Sequence, residues 1–126
     1  MGNIQIKRIY DPKEDSDGYR ILVDRLWPRG IKKEAVALTD WCKDVAPSHE
    51  LRKEFGHQME RFEEFREKYL FELHTDSQKS QKADELCQLA KNDTVTLLYA
   101  AKNTENNHAV VLREELLRRI ENKSIK

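Results

Sequence analysis

The sequence predicts an α/β fold: a single small domain over residues 1–126, with a short, mostly parallel sheet of about three to four strands flanked by helices. Three observations lead there. The segments 19–26 and 94–101 are nearly continuous apolar runs with β-branched members, as strands buried on both faces are. A third segment, 4–9, alternates apolar and polar residues as a half-buried strand does. The stretch between the two buried strands carries helical patterns and is long enough for a crossover, which makes those two strands parallel. Helices are then expected to cover both faces of the sheet.

In chain order, the first strand is Ile4-Gln5-Ile6-Lys7-Arg8-Ile9, and its direction stays open. The following Asp11-Pro12-Lys13-Glu14-Asp15-Ser16-Asp17-Gly18 is polar and reads as a surface loop. The strand from Tyr19 to Leu26 is stopped by Trp27-Pro28-Arg29-Gly30, because proline cannot donate to a ladder and glycine permits a turn. Thr39 or Asp40 can cap a short helix from Trp41 to Val45. Ser48 caps the next, and Gly56 stops it. From Gln58 to Leu73 the residues Met59, Phe62, Phe65 or Arg66, Tyr69 and Leu73 recur on one face, which is core packing. The opposite face, rich in Glu60, Glu63, Glu64, Glu67 and Glu72, reads as solvated, with Glu64 and Lys68 as an i,i+4 pair. Asp76-Ser77 caps a helix that runs to Ala90. After the strand at 94–101, the polar loop Lys102–Asn107 leads into a last helix from His108 to about Asn122, with Asn107 as its cap.

Composition removes several functions. The 23 basic and 23 acidic residues cancel, which argues against sequence-blind binding to nucleic acid or to an anionic membrane. The longest apolar runs are too short to span a bilayer, and the first residues hold no signal-peptide core. Cys42 and Cys87 lie 45 positions apart without a CxxC motif, and read as buried free thiols in a reducing cytoplasm. His49, His57 and His74 lack ligand spacing, so no metal and no cofactor is expected.

The zero net charge hides a local imbalance. Residues 20–33 hold Arg20, Arg25, Arg29, Lys32 and Lys33 against Asp24 alone. Arg25, Trp27 and Arg29 follow the carboxyl end of a buried strand, the edge at which open α/β sheets bind ligands. The loop after the last strand would bring Lys102, Asn107 and His108 to the same edge. The free N–H groups of the helix it leads into favour an anion, and a guanidinium fork would complement them. The expected site is therefore basic and amide-rich with a tryptophan wall, suited to phosphate, sulfate, a carboxylate or a nucleotide. Each residue also has a structural reading: Asn107 as a cap, Arg25 as a partner of Asp24, Trp27 as packing. His108 and Asp24 are the candidates for acid–base work, and no GxSxG, P-loop or GxGxxG motif assigns a reaction.

At Val23-Asp24-Arg25-Leu26-Trp27-Pro28-Arg29-Gly30 the sequence resembles the YeaO-like family, a branch of the bacterial domain of unknown function numbered four hundred and eighty-eight. The likeness extends through Ile9-Tyr10-Asp11-Pro12, Asp17-Gly18-Tyr19-Arg20, Trp41, Ala46-Pro47-Ser48, Leu51-Arg52, Phe55-Gly56, the strand Thr96–Lys102 and Asn107-His108-Ala109. It implies a compact bacterial cytosolic α/β domain and highlights the two loops already singled out. Members of the broader group often carry a Cys-His-Arg run where this chain has Asn107-His108-Ala109. Thiol chemistry at that run does not carry over, whereas anion binding by the helix start does. Three functions follow as expectations: binding of a small anionic ligand, with or without turnover; a nucleic-acid accessory role using the Arg25–Lys33 patch, with Trp27 stacking on a base; and a non-catalytic interaction or structural domain. Oligomeric state is left open.

Overall fold

A computed structural model describes residues 3–56 and 58–125. Strands β1 (Asn3–Arg8), β2 (Tyr19–Leu22), β3 (Asp40–Trp41) and β4 (Thr94–Tyr99) form one sheet in the order β1-β4-β2-β3. All pairings are parallel, so the first strand, too, runs parallel to its neighbour, with Ile6 beside Leu97. The expected pair β2 and β4 lies side by side, Ile21 against Leu97 and Leu22 against Leu98. Four helices follow the expected segments: α1 (His49–Phe55), α2 (Phe62–Thr75), α3 (Ser77–Ala90) and α4 (His108–Ile125).

The helices do not divide between the two faces. Leu51 and Phe55, Phe65 and Tyr69, Leu86 and Cys87, and Leu112 and Leu116 all join one core with Ile4, Ile21, Val95 and Leu97. The opposite face, Leu22 and Leu98, is covered by Val36, with Trp27, Ile31, Leu38 and Trp41 against it. The segment between β2 and β3 thus replaces a second helical layer, and its large aromatics supply the apolar area that a helix would otherwise bring. Arg20 anchors this cover: its Nε donates to the Ala37 carbonyl and its Nη2 to the Val36 carbonyl. Ala37 is held there at φ +46°, a conformation that costs a residue with a Cβ about 1–2 kcal/mol.

Four local expectations are corrected. Strand β2 ends at Leu22 rather than Leu26, because the Asp24 carboxylate accepts the Ala100 N–H at 3.1 Å, and the chain turns away before Pro28. The segment 41–45 is not an α-helix: Asp40-Trp41 pairs with β2, and only Lys43–Val45 makes a 3-10 turn. The polar loop 11–18 is not all surface, since Asp17 is buried and pairs with both Lys7 and Arg20. The helix expected from Gln58 begins as a 3-10 turn at Met59–Arg61, and Met59 stays exposed while Phe65, Tyr69 and Leu73 are buried. His57 lies outside the described residues.

Candidate functional site

The carboxyl ends of β2 and β4 open onto a cavity of about 890 Å³, closed on its far side by α1 and by the start of α2. Asp24, Arg25, Lys102, Asn107 and His108 line it, so the two loops singled out in the sequence meet as the strand order requires. Trp27 and Arg29 do not. Trp27 stands edge-on to Trp41 at 5.3 Å and donates its Nε1–H to the Ile31 carbonyl, which makes it part of the cover on the opposite face rather than a wall of the site. Arg29 is exposed, and its carbonyl accepts from the Tyr10 hydroxyl. The basic run is therefore divided. Arg20 is neutralised by Asp17 inside the fold, Arg25 enters the cavity, and Lys33 stacks over Trp27 at 5.6 Å.

Helix α1 supplies what the sequence did not single out: His49, Arg52 and Lys53 line the same cavity. Arg52 directly follows buried Leu51 and precedes buried Phe55 by three, so it flanks the buried face of a short capped helix. Its site-side position depends on how the preceding segment is held. Tyr69 donates to the Val45 carbonyl at 2.6 Å, Lys79 to the Ala46 carbonyl, and Arg25 Nε to the Pro47 carbonyl at 3.2 Å. Glu72 accepts from the Ser48 N–H at 3.0 Å and from its hydroxyl at 2.6 Å, while Ser48 Oγ caps the Leu51 N–H. Glu72 is thus not part of a solvated acidic face. These bonds fix α1, and with it Arg52, against the sheet edge.

The loop after β4 is ordered by its asparagines. Asn103 Oδ1 accepts the N–H groups of Glu105 and Asn106, both at 2.9 Å. Asn107 caps α4 through the Val110 N–H at 3.0 Å and donates its Nδ2 to the Asn103 carbonyl. Both polar ends of the Asn107 side chain are therefore engaged within the protein, and its part in the site is to aim the helix start at the cavity. That start carries unpaired N–H groups and the positive end of the helix dipole.

Electrostatically the cavity is positive. Among the described residues Arg25, Arg52, Lys53 and Lys102 line it against Asp24 as the one carboxylate, and no carboxylate pairs with any of the four cations. Asp24 Oδ1 instead lies 3.0 Å from His108 Nε2. The same nitrogen is 3.2 Å from the Val23 carbonyl, toward which its N–H is directed. Both neighbours are acceptors, which places the proton of a neutral His108 on Nε2. Among the described residues two buried side-chain atoms make no hydrogen bond, Arg52 Nη1 and Asp24 Oδ1, the latter held only by its ion-pair contact with His108, and both residues line the cavity. The rest of the lining is apolar, including Leu26, Phe55, Met59 and Phe65.

Among the described residues no Cys, Ser or Thr lines the cavity. Cys42 and Cys87 are buried free thiols, and burial pushes the Cys42 thiol up to about 11, which keeps it protonated at neutral pH. Among the described residues no three His, Cys, Asp or Glu side chains gather as metal ligands, and no helix is long and apolar enough to cross a membrane.

A family model described as the inactive DUF488-N3 subclade matches residues 3–126. The chain is 56% identical over 114 residues to the uncharacterised protein YeaO of Escherichia coli strain K12, covering 90% of this chain and 96% of that protein. It is 42% identical over 113 residues to the uncharacterised protein Rv3073c of Mycobacterium tuberculosis H37Rv and to the uncharacterised protein Mb3100c of Mycobacterium bovis, covering 90% of this chain and 92% of each. No solved structure matches it.

Proposed function

The chain belongs to the inactive DUF488-N3 subclade, and from that membership together with the cavity's chemistry we propose that it binds a small phosphate-bearing anion at the carboxyl edge of its sheet, without turning it over. One observation carries the reading. Four cations, Arg25, Arg52, Lys53 and Lys102, line one cavity with no carboxylate paired to them among the described residues, and one of them holds a buried guanidinium nitrogen with no acceptor there. Gathering like charges is unfavourable without a counter-charge, and an unpaired buried donor costs about 1–3 kcal/mol. An oxyanion relieves both. Arginine forks and the first-turn N–H groups of α4 are the donors that tetrahedral oxyanions take.

The absence of turnover rests on the lining. Asp24 and His108 are the acid–base pair of the cavity, but among the described residues no Cys, Ser or Thr accompanies them, and Asn107 stands just before His108 as a fully engaged helix cap. The subclade's description as inactive agrees with this. A thermal-shift series with inorganic phosphate, phosphosugars and nucleotides tests the proposal. Stabilisation of the wild-type chain at millimolar anion, lost in Arg25→Ala and Arg52→Ala, is the expected result. No stabilisation by any anion, or equal stabilisation of the variants, overturns it.

A further inference from the structure

The two acceptors that meet His108 Nε2 leave the other ring nitrogen unengaged. Asp24 Oδ1 at 3.0 Å and the Val23 carbonyl at 3.2 Å hold the proton on Nε2. Nδ1 of the neutral ring is then a lone-pair acceptor. Among the described residues no hydrogen bond reaches Nδ1, and the buried side-chain atoms that lack one there are Asp24 Oδ1 and Arg52 Nη1 alone. Nδ1 is therefore open to solvent, on a residue that lines the cavity. The two Nη groups of Arg25 are open in the same way, since only its Nε is bonded, to the Pro47 carbonyl.

An anion drawn into the cavity meets donors at Arg25, Lys53 and Lys102, but a lone pair at His108. Two lone pairs facing each other repel, so one proton must lie between Nδ1 and the oxygen beside it. The ligand can bring that proton or the ring can take it up from water. Inorganic phosphate brings it, because its dianion keeps one O–H through neutral and mildly alkaline pH. Sulfate is fully ionised there and fits only a protonated His108. Asp24 serves either state, since its carboxylate accepts the Nε2–H of the neutral ring and of the imidazolium alike.

Resting on the anion-binding reading, we infer that His108 Nδ1 selects a phosphate group that carries a proton over a fully ionised oxyanion. The phosphate O–H donates to Nδ1, while Arg25 and its neighbouring cations take the remaining oxygens. The charged and titratable groups that share the cavity with His108 are Asp24 and Arg25 after β2, Lys102 before α4, and His49, Arg52 and Lys53 on α1. The arginines and lysines stay charged over the range in which histidine titrates. A change at His49 acts alike on hydrogen phosphate and sulfate, because both are dianions. The ratio of the two affinities therefore reports His108.

Isothermal calorimetry with inorganic phosphate, sulfate and methyl phosphate between about pH 7.5 and pH 9 tests this. Inorganic phosphate should hold its affinity, while sulfate should weaken by about tenfold per pH unit and bind with the uptake of one proton. Methyl phosphate, which loses its last proton near about pH 6, should follow sulfate. His108→Ala should bind phosphate and sulfate with one common pH dependence. In the wild-type chain at about pH 8, sulfate should carry the Nδ1 nitrogen resonance of His108 to its imidazolium position, and inorganic phosphate should not. If the phosphate-to-sulfate ratio is flat with pH, or survives unchanged in His108→Ala, the role given to His108 falls while the anion reading stands. Methyl phosphate that keeps pace with inorganic phosphate likewise overturns the need for a ligand proton. If none of the three anions binds at any pH, both readings fall.

Discussion

Asp24 Oδ1 and His108 Nε2 lie 3.0 Å apart, joining the end of β2 to the first turn of α4 across the carboxyl edge of the sheet. The second Asp24 oxygen accepts the Ala100 N–H at 3.1 Å, so one side chain ties three segments together at the point where the cavity opens. Fold and site share this residue. Replacing Asp24 by Ala strips a partner from a backbone N–H and from His108, and should lower the stability by about 1–3 kcal/mol in urea unfolding. Asp24→Asn, which keeps an oxygen for Ala100, should recover most of the loss.

Arg52 should behave in the opposite way. Its Nη1 is buried without a partner, so truncation removes an unmet donor rather than a bond. Arg52→Ala is expected to unfold within about 0.5 kcal/mol of the wild type while abolishing anion binding. Arg20→Ala, which breaks a buried pair with Asp17 and two bonds to the 36–37 segment, should cost about 3–5 kcal/mol. Parallel urea titrations of the two variants separate an arginine that serves a ligand from one that serves the fold.

Gly18 should tolerate no side chain. It sits at φ +63°, and a Cβ there would come within 2.2 Å of the Thr94 carbonyl oxygen, a backbone atom of β4 that cannot move away. Gly18→Ala is expected to cost about 3 kcal/mol or more by chemical denaturation, from steric overlap and backbone strain together. Gly30→Ala, with nothing within 4 Å of its Cβ, meets only the strain of φ +81° and should cost less.

Most of the framework was legible because periodicity and capping are local. The continuous apolar runs located β2 and β4, and Ser48, Gly56, Asp76 and Asn107 delimit helices as their side chains or conformations suggest. What escaped depends on partners distant in sequence. Asp17 looks like loop polarity until Lys7 and Arg20 are seen to enclose it, and Glu72 looks like one more solvated glutamate until Ser48 is found on its oxygens. The same limit applies to the site. Arg25, Lys102 and His108 follow from the rule that ligands bind at the carboxyl edge, but Arg52 arrives on a helix placed there by Tyr69, Lys79 and Glu72. Trp27 could be read either as a wall of the site or as packing, because the end of a strand does not tell which face a turning chain will cover, and it packs.

Acid should unfold the chain through its buried carboxylates. Burial opposes ionisation of Asp17, but hydrogen bonds from the Glu14 N–H, Lys7 and Arg20 outweigh it and hold the carboxyl below its usual range. Burial likewise opposes ionisation of Glu115, and Arg118 and Arg119 outweigh it. A carboxyl with a lowered folded-state pKa contributes stability above its unfolded value near 4, and that stability is lost as pH falls through the folded value. Stability should therefore drop steeply below about pH 4. Asp17→Asn should flatten that slope in urea titrations at stepped pH, and an unchanged slope would remove Asp17 from the account.

The central claim, that the cavity between β2, β4 and α1 holds an anion, is tested most directly by following backbone amide resonances as phosphate is added to the labelled chain. The account predicts saturable shifts gathered at His108 and Ala109 in the first turn of α4, at Lys102, and at Arg52 and Lys53 on α1. Shifts that never saturate, or that gather at Arg29, Lys32 and Lys33 instead, would contradict it.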